Sequence, residues 1–198
     1  MSPQPPATPE RTVQAVGARR KRPPEPLVTE LVRRLRAVGA EGEGLVALFD
    51  ARAVAGERHL LSAWAHLGRA RSHGIERLRD RGAELALFVA GDDQLPRALA
   101  RVGIREDTTE FVLVAERPRR LGDLLEGFDL VADRDVYPRP PAVETLERLG
   151  IGASERGAVP PSAWEGLVLE RVALLELTGP HRGAEKGRRP DSPPAQRS

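Results

Sequence analysis

The 198-residue chain has no cysteine. That absence excludes disulfides, thiol nucleophiles and cysteine-ligated zinc, and it fits a reducing compartment, so a cytoplasmic location is expected. Lysine is nearly missing as well: Lys21 and Lys186 stand alone beside many arginines, both near the ends of the chain, and no function is read from their scarcity. No apolar run approaches the roughly 20 residues needed to cross a bilayer. The first residues are Pro-rich and polar where a secretory signal would be apolar, so a soluble protein not exported by that route is expected. Ser, His and Asp never stand together in a hydrolase motif. What is present suffices for a core, since 40% hydrophobic content at this length suits one domain of ordinary size.

Net charge is only +2, but it is unevenly spread. Residues 1–26 hold five basic and two acidic side chains, and residues 179–198 hold the same numbers, so each end carries +3 and residues 27–178 carry −4. Both ends are rich in Pro, Gly, Ser and Ala and bury too little apolar surface to offset the entropy of ordering. They are expected to be disordered basic arms on a mildly acidic body, an arrangement suited to sequence-independent contact with phosphates.

Between the arms, helix and strand signals alternate. Thr29 can cap a first helix through Leu31, Val32, Leu35 and Val38 that stops at Gly39. A strand is predicted over residues 45–49, then a helix over 56–71 with Leu60, Leu61, Trp64 and Leu67 on one side. The apolar run over 83–89 reads as a second strand buried on both faces. A loop at Ala90 to Asp93 leads into a helix carrying Leu95, Ala98, Leu99 and Val102 and closed by Gly103, with Pro96 tolerated in its first turn. Residues 110–115 form the third predicted strand; short helices follow over 121–127 and 141–149. The last helix is expected to begin at a Ser162/Glu165 capping box behind Pro160 and Pro161. Its stripe of Trp164, Leu167, Val168, Val172 and Leu175 is widened by Leu169, Ala173, Leu174 and Leu177 beyond what one core face needs, and something must cover the surplus. The expected class is α+β: one domain, residues 27–178, with a small mixed sheet flanked by helices.

Catalytic patterns are weak. His59, His66 and His73 recur every seven residues, which separates successive members by roughly 10 Å along a helix, too far to share a metal whose bonds are about 2 Å. Gly39, Gly42 and Gly44 run from helix into strand, the reverse of a phosphate-binding loop, and read as a connector. Asp92 and Asp93 sit at a helix start, where adjacent acids favour the helix dipole. No catalytic, metal or cofactor site is expected.

Three segments in order carry a resemblance. The first is Phe49-Asp50-Ala51-Arg52-Ala53-Val54-Ala55-Gly56-Glu57-Arg58-His59, continuing through Leu60 to Ala63. The second is Ala90-Gly91-Asp92-Asp93-Gln94-Leu95 with Ala98, Leu99, Val102 and Gly103. The third is Leu169-Glu170-Arg171-Val172-Ala173-Leu174-Leu175-Glu176-Leu177. Together they resemble the strand–turn–helix opening, the central Ser-Gly-x-Arg-Gln-Ile turn and the closing helix of the small subunits related to the PRPK-binding protein, and they frame most of residues 45–178. The resemblance implies a non-catalytic subunit of the KEOPS complex, which makes threonylcarbamoyladenosine in tRNA. Such a subunit docks on the complex's atypical kinase, through it joins the other subunits, and contacts the tRNA 3′ CCA end; a mixed sheet flanked by helices is implied too.

Carried over by position, the closing helix implies a kinase interface at Leu169, Val172, Ala173 and Leu177. Gly91 and Gln94 match the central turn, whereas the family's Arg falls on Asp93, beside Asp92. Two carboxylates repel a phosphate, so tRNA contact is expected to move to Arg58, Arg97 and Arg101 or to the basic arms. His59 matches a position that is often His in the family and reads as a hydrogen-bonded residue near a helix start. Two other readings compete: a free-standing RNA-binding protein that uses its arms without a kinase, and a small enzyme built on Asp92 or Asp93.

Overall fold

The computed structural model describes residues 13–21, 27–40, 44–116 and 121–177. Four strands, β1 (Gln14–Arg20), β2 (Val46–Asp50), β3 (Glu110–Ala115) and β4 (Leu130–Ala132), form one sheet in the order β2-β3-β1-β4. Around them lie α1 (Leu27–Ala40), α2 (Glu57–Ser72), α3 (Arg81–Ala90), α4 (Leu95–Val102), α5 (Leu121–Gly127), α6 (Val143–Arg148), α7 (Ala153–Gly157) and α8 (Trp164–Leu177). The fold is α+β, as the alternating signals predict.

Strand alternation divides the interior in two. Val112 and Val114 of β3 join Ala47 and Phe49 of β2 in a core closed by α2, α3, α4 and α8. Phe111, Leu113 and Ala115 point the other way and pack with Ala18, Leu31, Leu48, Leu124 and Phe128 under α1 and α5. The sheet is therefore covered on both faces, and β3, at its centre, is buried from Phe111 onward.

The basic N-terminal arm expected over residues 1–26 is corrected by the structure: Gln14–Arg20 is a strand inside the sheet, paired with β3 along one edge and β4 along the other. The composition that argues for disorder is overridden because the ladder satisfies the backbone on both sides, Arg19 is held by Glu110 (2.9 Å) and Asp133 (2.6 Å), and Gly17 fits a gap no side chain could enter. Residues 1–12 and 22–26 of that arm and the C-terminal arm lie outside the described residues, as does Gly42. With β1 in place every strand pair is antiparallel, so the expected mixed sheet is an antiparallel one.

The strand predicted over 83–89 is helix α3. A continuous apolar run does not by itself distinguish a buried strand from a buried helix; here the caps decide. Asp80 accepts the Ala83 N–H (2.9 Å) at the start. At the end Gly91 takes a left-handed conformation (φ 59°), with Gly91 N–H bonded to Phe88 O and Asp92 N–H to Leu87 O, both 3.1 Å. Every residue from Glu84 to Ala90 is buried, so the amphipathic signature of a surface helix is missing. Two further caps differ: α1 begins at Leu27, ahead of Thr29, and Ser162 falls in a 3₁₀ turn (Pro161–Ala163) that precedes α8. Helices α2, α4 and α5 and strand β3 lie where their periodicity places them.

The placement of β1 is directly testable. A methyl group at Gly17 would sit 2.6 Å from both Asp133 O and Tyr137 N, main-chain atoms that cannot step aside. Gly17→Ala is therefore expected to lower unfolding free energy by about 1–3 kcal/mol in urea titration. An unchanged midpoint would mean that β1 is not packed there.

Candidate functional site

The α3–α4 turn gathers two acids and two arginines. Asp92, almost buried, accepts the Gln94 N–H (2.9 Å) and so fixes the turn. Arg97 straddles both acids, with Nε 3.0 Å from Asp92 Oδ2 and Nη2 3.0 Å from Asp93 Oδ1. Arg101 adds Nη1 at 3.2 Å from Asp92 Oδ2 and at 3.3 Å from Ala90 O. Burial alone pushes the Asp92 carboxyl up, but its bonds to Arg97 and Gln94 and the Arg101 charge outweigh burial and hold it below the usual carboxylate range. Gln94, Arg97 and Arg101 of the predicted tRNA set thus converge, and what draws them together is the pair of acids expected to repel a phosphate. The local result is a neutralised clasp in which Arg97 still exposes 61% of its side chain. Gly91 closes the turn against Arg171 of α8, whose Cβ lies 3.0 Å from the place a Gly91 side chain would occupy.

Arg58 lies apart from this clasp, at the start of α2, 3.5 Å from Glu165 of α8. Glu165, which the sequence pattern assigns to a capping box, is thus a cross-helix partner. It lines a cleft of about 310 Å3 with Gly56, Glu57, Arg139 and prolines 138, 140, 141 and 161. Beside it His59 is wholly buried; its Nδ1 accepts the Ala55 N–H (3.1 Å), so Nε2 carries the proton and donates to Val89 O (2.9 Å). This imidazole ties the first turn of α2 to the last turn of α3. Burial, only partly opposed by the bond to Val89, lowers its pKa to about 4.

The third segment is α8. Val168, Val172 and Leu175 face the core, and Glu165 and Glu176 face α2, Glu176 meeting His66 and Arg69. Arg171 binds Glu155 (2.8 Å) and the Gly150 carbonyl (3.2 Å). Of the predicted interface residues, Val172 is fully buried and belongs to the core, a correction that one-dimensional periodicity cannot make; Leu169 is half-buried on the side toward α2. Ala173 and Leu177 lie on the outer side, and Leu174 joins them: Leu174 is 55% and Leu177 80% exposed.

Sequence reasoning missed the buried carboxylate that braces this region. Asp50, 0% exposed at the end of β2, receives Arg52 N and Nε (2.9 and 3.0 Å), Arg52 Nη2 (2.7 Å) and Thr108 Oγ1 (3.2 Å). Arg148 Nη1 of α6 lies 3.0 Å away as an ion pair without a well-aligned hydrogen bond. Burial pushes the Asp50 carboxyl up, and the Arg52 bonds with the Arg148 charge more than reverse it. An Asp followed two residues later by Arg at a strand end is the available signal, and it is weak. Among the described residues no group of three or more His, Asp or Glu could hold a metal ion, and no helix is long and apolar enough to cross a membrane.

His59 yields a pH prediction. Its folded-state pKa of about 4 lies below the ordinary 6.5, so the unfolded chain binds an extra proton between those values. The stability tied to neutral His59 is complete above pH 6.5 and drains away as pH falls toward 4, by up to about 3 kcal/mol. Urea unfolding at pH 7 and pH 4.5 should show a smaller loss for His59→Gln than for the unsubstituted protein; equal losses would refute the assignment. Comparison with known proteins finds no family model that matches this chain and no curated protein that matches it.

Proposed function

We propose that the chain is a non-catalytic accessory subunit of a KEOPS complex. In this reading it binds the complex's atypical kinase and helps recruit tRNA by its 3′ CCA end for N6-threonylcarbamoyladenosine modification. The observation that carries the reading is the meeting of three segments. The start of α2, the α3–α4 turn and α8 are separate in sequence, yet His59 bonds Val89, Gly91 abuts Arg171 and Arg58 pairs with Glu165. The segments that resemble the family thus pack against one another.

Among these segments the roles divide by chemistry. Exposed Leu174 and Leu177, with half-buried Ala173, supply apolar area on the outer face of α8 beside exposed Glu170, which suits a protein interface with a polar rim. Arg97, Arg101 and Arg58 supply cations that carboxylates hold in place, and a phosphate can compete for them. Gly91 and Gln94 shape the turn that presents Arg97 and Arg101. A cytoplasmic location belongs to the same proposal.

Leu174→Arg and Leu177→Arg alter exposed positions and should leave the fold intact while weakening binding to the same organism's KEOPS kinase by at least about tenfold in calorimetry. Unchanged affinity would remove α8 from the interface and undercut the proposal. On the RNA side, Asp93→Asn releases one ligand of Arg97, and tRNA affinity at low salt should rise by about twofold to fivefold. The gain should vanish for tRNA lacking its 3′ CCA; an equal gain with either tRNA would place RNA contact elsewhere.

A further inference from the structure

Arg97 and Arg101 of α4 and Arg171 of α8 each spend part of a guanidinium on the protein and keep the rest open. Arg97 gives Nε to Asp92 and Nη2 to Asp93, and its Nη1 bonds no described residue. Arg101 gives Nη1 to Ala90 O and Asp92, which leaves Nε and Nη2 without a hydrogen bond among the described residues. Arg171 uses Nη2 alone, for Gly150 O and Glu155, and its Nε and Nη1 have no described acceptor. A guanidinium donates from every nitrogen, and none of these side chains is buried, so all three keep a donor edge toward solvent.

The fold closes Arg101 and Arg171 on one point. Gly150, the exposed glycine that follows α6, takes φ 78°, and a Cβ there would stand 3.2 Å from Arg101 Nη2. Its carbonyl accepts Arg171 Nη2 at 3.2 Å. Two like charges thus meet across a residue that has no side chain to separate them. Carbonyls at helix ends hold both in place, Ala90 O of α3 for Arg101 and Gly150 O beyond α6 for Arg171. The acids contribute unevenly: Asp92 is almost buried behind Arg97 and Arg101, whereas Arg171 is held by Glu155, whose side chain is 46% exposed.

We propose that Arg101 and Arg171 seat a phosphate of the tRNA backbone at Gly150, beside the one that Arg97 receives, so that the RNA passes from the α3–α4 turn onto α8. The inference rests on the turn being the tRNA site, and it adds Arg171 to that site. A phosphodiester suits the point better than a carboxylate does. The two oxygens of a carboxylate lie in one plane and are satisfied by a single guanidinium fork. Phosphate oxygens point in tetrahedral directions and accept donors that arrive from two helices at once. The helix-end carbonyls and acids already fix both guanidiniums, so little side-chain freedom is lost when the phosphate binds.

The test is titration of the full chain with tRNA across a salt series, beside Arg171→Gln and Glu155→Gln. Arg171→Gln should weaken binding at low salt by about threefold to tenfold and make the slope of log affinity against log salt shallower by about 0.7, as for one single-strand phosphate contact. Glu155→Gln keeps an acceptor for the Gly152 N–H, which Glu155 Oε2 receives at 2.9 Å, and removes the charge that holds Arg171. It should tighten binding by about twofold to threefold, and it tests the site even where the arginine variant fails to fold. The preference for tRNA bearing its 3′ CCA should survive in both variants, because a backbone contact reads no base. Unchanged affinity in folded Arg171→Gln or in Glu155→Gln, with CCA-dependent binding intact, would remove Arg171 and leave the turn as the RNA site. Loss of CCA dependence in the unsubstituted chain would instead overturn the underlying reading and this inference with it. A poly-glutamate peptide that binds through Arg171 where tRNA does not would assign the point to an acidic protein segment and overturn the proposal.

Discussion

The central strand has no side that faces water, and this constraint organises the rest of the molecule. From Phe111 to Ala115 every residue of β3 is buried, with alternate side chains entering two separate cores. One face alone would leave Phe111 and Leu113 in solvent, at about 1.5–3 kcal/mol for each large side chain left unburied. Two helical layers are therefore required, and the chain supplies them unequally. The layer of α2, α3, α4 and α8 holds the candidate surface, whereas α1 and α5 complete the second core.

Carboxylates set the positions of these layers. Asp50, Glu84 and Glu116 are all buried, and each meets an arginine: Arg52 and Arg148, Arg71, and Arg81. A buried acid that lost its partner would be strongly unfavourable, so such pairs fix registry more than they add stability. Asp50 joins β2 to α6, Glu84 joins α3 to α2, and Glu116 ties the end of β3 to the first turn of α3. The Asp92 clasp repeats the scheme at the surface, where one arginine keeps most of its area in solvent.

Legibility in the sequence followed the physics of each signal. The periodicity of α2 and the apolar run of β3 are strong local patterns, and both elements lie where they were predicted. Helix α3 reads as a strand because its surroundings are apolar on all sides, which erases the helical period; only Asp80 and Gly91 at its ends mark it as a helix. Strand β1 is concealed by basic, small residues whose stability comes from two neighbours far along the chain. The widened apolar arc of α8 was visible, but its division into core at Val172 and outer surface at Leu174 depends on the packing of α2 and α3. Arg97 and Arg101 were legible as candidate cations beside the turn; their capture by Asp92 was not, because it needs the geometry of the turn itself.

Arginine serves as the cation throughout the body: residues 27–178 contain no lysine, and every side-chain ion pair described above uses a guanidinium or an imidazole. A guanidinium keeps its charge at any physiological pH, and it offers no primary amine to acylating enzymes or to amine-directed crosslinkers. Among the described residues Lys21, whose main-chain N–H donates to Asp129 O, carries the one side-chain amine, so acetylation can retune this part of the molecule at that position alone. Crosslinking maps made with amine chemistry would register the described residues only through Lys21, and any assembly the chain joins would have to be mapped chiefly through its carboxylates.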